Sequence, residues 1–225
     1  MPDLFFREYT SNDLSRCAQL AAEAWPVKDH ISGGSERWRI MEAYVEIATS
    51  WSNWTNVACL DSGELVGLMF GEIRGRHAEG FPTRIVSSEL KASAKLVLGR
   101  YGRIERLPTV LWNFLITEMK LLVNRPDADA EIMLFLVDSK YRGKGIGSVL
   151  MDRFIMAAKE EGSIRMSVYA DDQTSNWRFY ENYGFERAGI FYDNWSSYFN
   201  RTRSMGIRLV LDLGGSHKEN DRTVA

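Results

Sequence analysis

The sequence predicts an α/β fold, a mixed sheet covered by helices, on three observations. Ile132 to Val137 is an uninterrupted apolar run of strand length, the pattern of a strand covered on both faces. Gly143, Gly145 and Gly147 follow it and lead into Ile146, Val149, Leu150, Phe154 and Ala157 at helical spacing, which completes a strand–turn–helix unit. Around that unit, strand and helix patterns alternate through most of the chain.

In order along the chain, Leu4 to Tyr9 has strand composition. Ser11, Asn12 and Asp13 are N-cap candidates for a helix through Leu14, Cys17, Ala18, Ala21 and Trp25, which Pro26 ends. After the loop at Ser32 to Ser35, Trp38, Met41, Tyr44, Val45 and Ala48 predict a second helix to about Ser50. Val57 to Leu60 and Leu65 to Phe70 flank Asp61-Ser62-Gly63-Glu64, a hairpin whose turn glycine can take positive φ. From about Gly75 to Asp127 the alternation stops, and two helical patterns follow, around Glu89 to Leu98 and around Val110 to Val123. Leu107 to Val123 is the most apolar window, but Asn113, Thr117, Glu118 and Lys120 interrupt it. A membrane span needs about 20 mostly apolar residues, so the window reads as a buried helix.

Past the glycine turn, Ile164 to Tyr169 alternates as a strand, and Ser175 to Asn182 reads as a helix closed by Gly184. Ala188 to Tyr192 and Met205 to Leu211 are further strands. The expected organisation is one domain over residues 1–213 with a helical insertion at about 75–127, then a polar tail at 214–225.

Composition narrows the functional classes. With 225 residues, 45% hydrophobic, the chain can bury a full core without disulfides or a structural metal. Lys and Arg number 28 against 30 Asp and Glu, which gives no global pull toward nucleic acid or an anionic membrane. The 74–106 stretch alone is basic, with eight Lys or Arg against three Glu, and reads as a solvated face or a draw for an acidic partner. Cys17 and Cys59 form no metal or redox spacing, so a reduced, cytoplasmic setting is expected. No basic segment with a following apolar stretch opens the chain, so no signal peptide is expected. His30, His77 and His217 have no ligand spacing, and no metal is expected.

The chemistry concentrates between Val137 and Ser148. Glycines there let the backbone approach a ligand closely, and a helix start turns free N–H groups and partial positive charge toward an anion. Arg142 and Lys144 add formal charge. The segment is a candidate diphosphate cradle, although the same glycines would serve a plain tight turn. The spacing fits neither GxxxxGK[ST] nor GxGxxG.

Arg142-Gly143-Lys144-Gly145-Ile146-Gly147 resembles the (Q/R)xxGx(G/A) motif of the GCN5-related N-acetyltransferases (GNAT), with Arg142, Gly145 and Gly147 at the defining positions. Asn176 to Phe185, a short helix bearing Tyr180 just ahead of Gly184-Phe185, resembles that family's second signature. The order of elements from Leu4 onward is also similar, outside the 75–127 block.

The resemblance implies a GNAT-type acyl-CoA N-acyltransferase fold whose sheet splits at the Ile132 to Val137 strand to admit acetyl-CoA. It implies that Leu136 and Val137 offer main-chain groups to the pantetheine arm, with a strand N–H, Val137's, facing the oxyanion. Arg142, Gly143, Lys144, Gly145, Ile146, Gly147 and Ser148 would cradle the pyrophosphate. Asn176 would lie near the pantetheine or adenosine, although the family often carries its asparagine where this chain has Gln173. Tyr180 becomes the candidate general acid, or else an aromatic wedge between helix and sheet. Glu131, at the entrance of the central strand, matches the glutamate used as general base in histone-type members; Glu72 and water-mediated deprotonation are its competitors. Strict alternation would put Glu131 and Val137 on one strand face.

The acceptor would be a small-molecule primary amine, walled by the first two helices with Trp25, Trp38, Trp51 and Trp54 near Asp29 and His30. A peptide or protein amine is the alternative acceptor, and a CoA-binding sensor or scaffold the alternative function. A homodimer is compatible with all of these. Neither motif holds a cysteine, which disfavours an acyl-enzyme.

Overall fold

The computed structural model describes residues 4–25, 31–32, 37–76 and 106–214, together with residues 87, 90, 91, 94, 95, 98, 100, 103 and 104. Pro26, Asp29, His30, the glycines of the 32–35 loop, His77, His217, the tail beyond 214 and most of the basic 74–106 stretch lie outside the described residues. Of the helix expected around Glu89 to Leu98, Leu90, Lys91, Ala94, Lys95 and Leu98 are described; the first four are helical and Leu98 is a turn residue.

The strands are β1 (Leu4–Arg7), β2 (Ile31–Ser32), β3 (Trp54–Leu60), β4 (Leu65–Ile73), β5 (Arg103–Ile104), β6 (Ala130–Val137), β7 (Arg165–Asp171), β8 (Glu186–Tyr192) and β9 (Met205–Asp212). The helices followed throughout are α1 (Leu14–Ala24), α2 (Ile40–Ser50), α3 (Leu107–Val123), α4 (Ile146–Glu160), α5 (Trp177–Asn182) and α6 (Asn194–Asn200). Seven strands form one sheet in the order β1-β3-β4-β6-β7-β9-β8, while β2 and β5 pair separately. Every neighbour in the large sheet is antiparallel except β6 and β7. The mixed sheet follows from chain connectivity: the β3–β4 hairpin needs a short turn, whereas α4 crosses over between parallel β6 and β7.

Helices cover both faces. On one, α1 and α2 bury Cys17, Leu20, Met41 and Val45 against Leu68, Phe70, Leu134 and Leu136. On the other, Ile146, Leu150 and Phe154 of α4 sit over Met69, Ile132 and Met166. Every residue of β4 is buried, as expected of a strand between two such layers. At Gly71 a Cβ would lie 2.3 Å from Phe154 Cζ, so only glycine lets α4 approach the sheet this closely.

A departure from simple alternation shapes the central strand. Phe70 pairs with Leu134 but Gly71 pairs with Ile132, so Met133 is an extra residue in β6 and forms a bulge. The bulge reverses the faces: Ala130 and Ile132 join the α4 side, whereas Leu134 and Leu136 join the α1/α2 side. Glu131 therefore faces α1 and α2 while Val137 faces α4, and the expectation of a shared face does not hold.

The 107–123 window is helical, but it is not a buried helix. Val110 and Thr117 are buried, whereas Leu111, Trp112, Leu115, Met119, Leu122 and Val123 are exposed. The reason is position: among the described residues α3 packs mainly against α6, with Phe114 and Trp195 edge to face at 5.4 Å, while Val110 joins the α1/α2 core. No helix among the described residues is long and apolar enough to cross a membrane. The sequence reading did not foresee α6, which begins where Asp193 accepts from Ser196 N at 3.1 Å.

Candidate active site

The parallel β6–β7 ladder runs through Ala130–Met166, Glu131–Ser167 and Ile132–Val168 and stops there. Beyond it, β6 stays paired to β4 up to Val137, and β7 stays paired to β9 up to Asp171. The bulge bends β6 away, and a wedge opens between the C-terminal halves of the two parallel strands. Asp138 N donates to Val66 O on β4 at 2.9 Å, so by alternation the N–H and C=O of Val137 point the other way, into the wedge. Leu136 turns its side chain into the α1/α2 core and its carbonyl toward Gly67 of β4.

The chain then turns tightly into α4. Asp138, almost fully buried, accepts from Lys140 N at 2.9 Å and caps the short 3-10 turn Ser139–Tyr141. Arg142 folds back so that its Nε donates to Val137 O at 3.1 Å. Gly143 and Gly145 have φ of 75° and 82°, the left-handed region that favours glycine, with nothing within 4 Å of where a Cβ would stand. Gly145 caps α4, whose first N–H groups have no partner inside the helix and face this open space. Lys144 lies over the Tyr141 ring with its ammonium 4.7 Å from the centroid. A Cβ on Gly147 would meet Phe135 Cζ at 3.2 Å, so α4 starts hard against the floor of the wedge. Ile146 is buried beneath the turn, and the Ser148 carbonyl accepts from the Tyr183 hydroxyl at 3.1 Å, which ties α5 to α4. Asn176 stands exposed as the N-cap of α5 and makes no side-chain cap bond.

Tyr180 reaches the wedge from α5, 8% exposed, with its ring against Phe135, Phe179 and Phe185 at 6.3, 5.7 and 5.6 Å. Burial, then the neighbouring Tyr44 phenol of α2, push its hydroxyl well above the ordinary phenol range, so it stays protonated.

On the α1/α2 face lies a group of four charges. Arg208 of β9, 4% exposed, donates from Nη1 to Glu131 Oε1 at 2.7 Å and from Nη2 to Leu121 O at 3.1 Å. Nη2 of Arg125 lies 3.1 Å from Glu131 Oε2 and 3.0 Å from Glu72 Oε2. Glu72 and Glu131 are register partners on β4 and β6, which is why one cation serves both. Glu131 sits one residue before the last β6–β7 pair, at the closed end of the wedge.

Residues 109–185 match the acetyltransferase (GNAT) family model, a span that takes in the central strand, the glycine turn and Tyr180. Over that span the chain matches a GNAT acetyltransferase domain. Solved GNAT structures are similar at the level of fold. The crystal structure of SsHAT matches with a TM-score of 0.63 at 17% identity, over 95% of this chain and 100% of that one. An N-acetyltransferase from Staphylococcus aureus Mu50 matches at 0.53 and 17%, over 94% and 99%. The ribosomal-protein-S18-alanine N-acetyltransferase from Escherichia coli matches at 0.51 and 10%, over 96% and 98%. The mixed α/β fold expected from sequence is thus the GNAT fold.

Within that fold, the glycine turn and the first turn of α4 gather Arg142 through Ser148, and the wedge gathers Val137 and Tyr180. Glu131 instead lies on the opposite face among the arginines. Sequence reasoning missed Arg125, Arg208 and Tyr44. For Arg208 a signal existed: an arginine inside the apolar run Ile207-Arg208-Leu209 must find a buried partner. Arg125 follows a helix end and carried none.

Proposed function

We propose that the protein is an acetyl-CoA-dependent N-acetyltransferase that moves the acetyl group directly to a primary amine, that of a small molecule. The observation carrying this reading is the wedge at the end of the parallel β6–β7 ladder, on a strand that runs straight into a glycine-capped helix start. Acetyl-CoA, the donor substrate, fits residues present there: open left-handed glycines at 143 and 145, exposed Arg142 and Lys144, and the first N–H groups of α4 for the diphosphate. Val137 N–H offers the main-chain donor in the wedge for the pantetheine arm or the oxyanion. Asn176, exposed at the α5 start, stands on the cofactor side.

In the reaction, the neutral amine attacks the thioester carbonyl, the C–N bond forms, the C–S bond breaks, and Tyr180 gives its proton to the departing sulfur. The burial that raises the phenol also raises the basicity of a thiolate formed beside it, so donor and acceptor shift together. Arg208 holds Glu131 Oε1, so Glu131 takes up the amine proton through Oε2, directly or by water, when that oxygen parts from Arg125 Nη2, 3.1 Å away; Glu72 beside it is the competitor. The half-buried Trp25, Trp38 and Tyr44 of the α1/α2 layer supply the apolar wall for the acceptor. On this reading the 75–127 stretch is an insertion within a single domain, and its helix α3 borders the acceptor side, where Leu121 O accepts from Arg208. Cys17 and Cys59, both buried and unlinked, suit a reducing cytoplasm.

A thiol-release assay over a panel of small amines and short peptides tests the reading. Release with small amines supports it, release with peptides alone transfers the activity to protein substrates, and tight acetyl-CoA binding with no release makes the protein a sensor.

A further inference from the structure

Between α3, α6 and the turn that leads from α6 into β9 lies an open cavity of about 470 Å³, within the size range of small-molecule sites. Arg201 and Arg203 line it from the turn, Asn113 from α3, and Asn194, Ser197 and Tyr198 from α6. Its described lining holds no Asp or Glu, and among the described residues neither arginine pairs with a carboxylate. Two guanidiniums on one three-residue turn repel each other, and an anion bound between them removes that repulsion.

The turn that carries the arginines is held at several points. Ser204, fully buried, donates from its N to Ser197 Oγ at 2.9 Å, and its hydroxyl accepts from Asn200 Nδ2 at 3.3 Å. Ser204 O accepts from Asp193 N at 3.1 Å, which closes the turn onto the start of α6. The amides beside it are oriented too. Lys120 Nζ donates to Asn194 Oδ1 at 2.7 Å, so Asn194 keeps its Nδ2 donors for an occupant, and Lys120 brings a further positive charge against it. Asp193, fully buried, directs its carboxylate to Thr117, Tyr169 and Ser196 N rather than to the arginines. Cations with amide donors and no competing carboxylate select a carboxylate or phosphate over a neutral group.

The cavity adjoins the α1/α2 layer. Tyr198 packs into the same apolar cluster as Trp25, Trp38 and Tyr44. Burial, then the Glu118, Asp171 and Asp193 carboxylates, push the Tyr44 hydroxyl up, and Tyr44 is also the charge neighbour of Tyr180. Tyr44 thus stands between the wedge and the start of α6.

We infer that this cavity is an anion subsite of the acceptor, in which Arg201 and Arg203 hold a carboxylate or phosphate carried by the amine substrate. The inference deepens the proposed acetyl transfer and rests on it for the link to an amine, whereas anion binding itself is measurable without turnover.

Sodium phosphate and sodium acetate are the probes, compared with sodium chloride at equal ionic strength and applied to the full chain with CoA present to fill the glycine turn. The proteins are wild type, Arg203→Gln and the double variant Arg201→Gln/Arg203→Gln; both arginines are exposed, so the variants are expected to fold. The expected result is that one of the two anions raises the melting temperature of wild type by a few degrees, that of Arg203→Gln less, and that of the double variant not at all. Which anion acts tells carboxylate from phosphate. Thiol release is then measured with three amines of equal chain length that end in a carboxylate, a phosphate or a methyl group. In wild type an anionic amine shows a KM about tenfold below the methyl-ended one, and the double variant removes that advantage while leaving the KM of the methyl-ended amine and of acetyl-CoA unchanged. An equal melting response in wild type and double variant, no preference for an anionic amine, or a raised acetyl-CoA KM, which gives the site to the donor, overturns the inference. If no amine supports thiol release in any of the proteins, the acetyl-transfer reading fails, and the melting comparison alone decides whether the anion subsite exists.

Discussion

Nη2 of Arg16 on α1 donates to Oδ2 of Asp138 at 2.6 Å, joining the first helix to the residue where the central strand becomes the glycine turn. The same guanidinium donates from Nε to Leu65 O at 3.1 Å, so the arginine spans from the hairpin to the loop. Asp138 is 2% exposed, and its other oxygen caps the turn through Lys140 N. The shape of the cradle therefore depends on a charge pair anchored outside it.

Replacing Asp138 by Ala removes the cap and the buried partner of Arg16, which keeps only the longer Glu64 pair at 3.4 Å and its bond to Leu65 O, at an expected cost of about 1–3 kcal/mol in unfolding free energy. Urea denaturation checks this. Acetyl-CoA affinity should fall as well, because the turn carrying Gly143 and Gly145 loses its fixed start. Unchanged stability would mean that the pair is incidental.

Gly71→Ala tests the closeness of α4 to the sheet. A methyl there meets Phe154 Cζ at 2.3 Å, with Glu131 O at 3.0 Å, and must push the helix or the ring aside. The expected loss is about 1–3 kcal/mol by urea denaturation, with residual activity lowered because β6 carries Glu131.

Tyr180→Phe should lower kcat about 100-fold with little change in acetyl-CoA affinity, the pattern of a group used only as the thiolate departs. Since burial holds the phenol above 10, wild-type kcat should show no fall from its ionisation up to about pH 10. An alkaline fall near pH 8 that disappears in Tyr180→Phe would contradict this assignment.

Acid stability has a separate local source. Arg7 donates to both oxygens of Asp13 at 2.7 Å, which, with the Thr10 bonds, holds that carboxyl below its ordinary value of 3.8. A depressed folded-state value contributes stability above the unfolded value and loses it as pH falls through the folded one. Asp13→Asn should therefore melt lower than wild type at pH 7, and the gap should close as pH falls below 3.8. Melting curves at matched ionic strength measure it, and a pH-independent gap would point to packing.

Much of this architecture was legible in the chain. The Ile132 to Val137 run announced a central strand, and Gly145 announced the helix start because a left-handed cap and an open approach both require glycine. Tyr180 was legible through its neighbours Gly184 and Phe185. The bulge at Met133 was not, since an extra residue in an all-apolar strand leaves no mark on the pattern, and with it went the facing of Glu131. The exposure of α3 was hidden for a related reason: apolar content signals burial only when another layer is there to cover it. The joining of Glu72, Glu131, Arg125 and Arg208 depends on contacts between strands and a turn far apart in sequence, which no local spacing encodes.

The central claim is that the wedge and the glycine turn bind acetyl-CoA, and calorimetric titration of acetyl-CoA tests it most directly. Wild type should bind one molecule per chain, and Gly145→Glu should abolish binding, because a carboxylate at a left-handed helix cap both strains the turn and repels the diphosphate. Equal binding by the two proteins, or no binding heat from wild type at millimolar acetyl-CoA, would contradict the account.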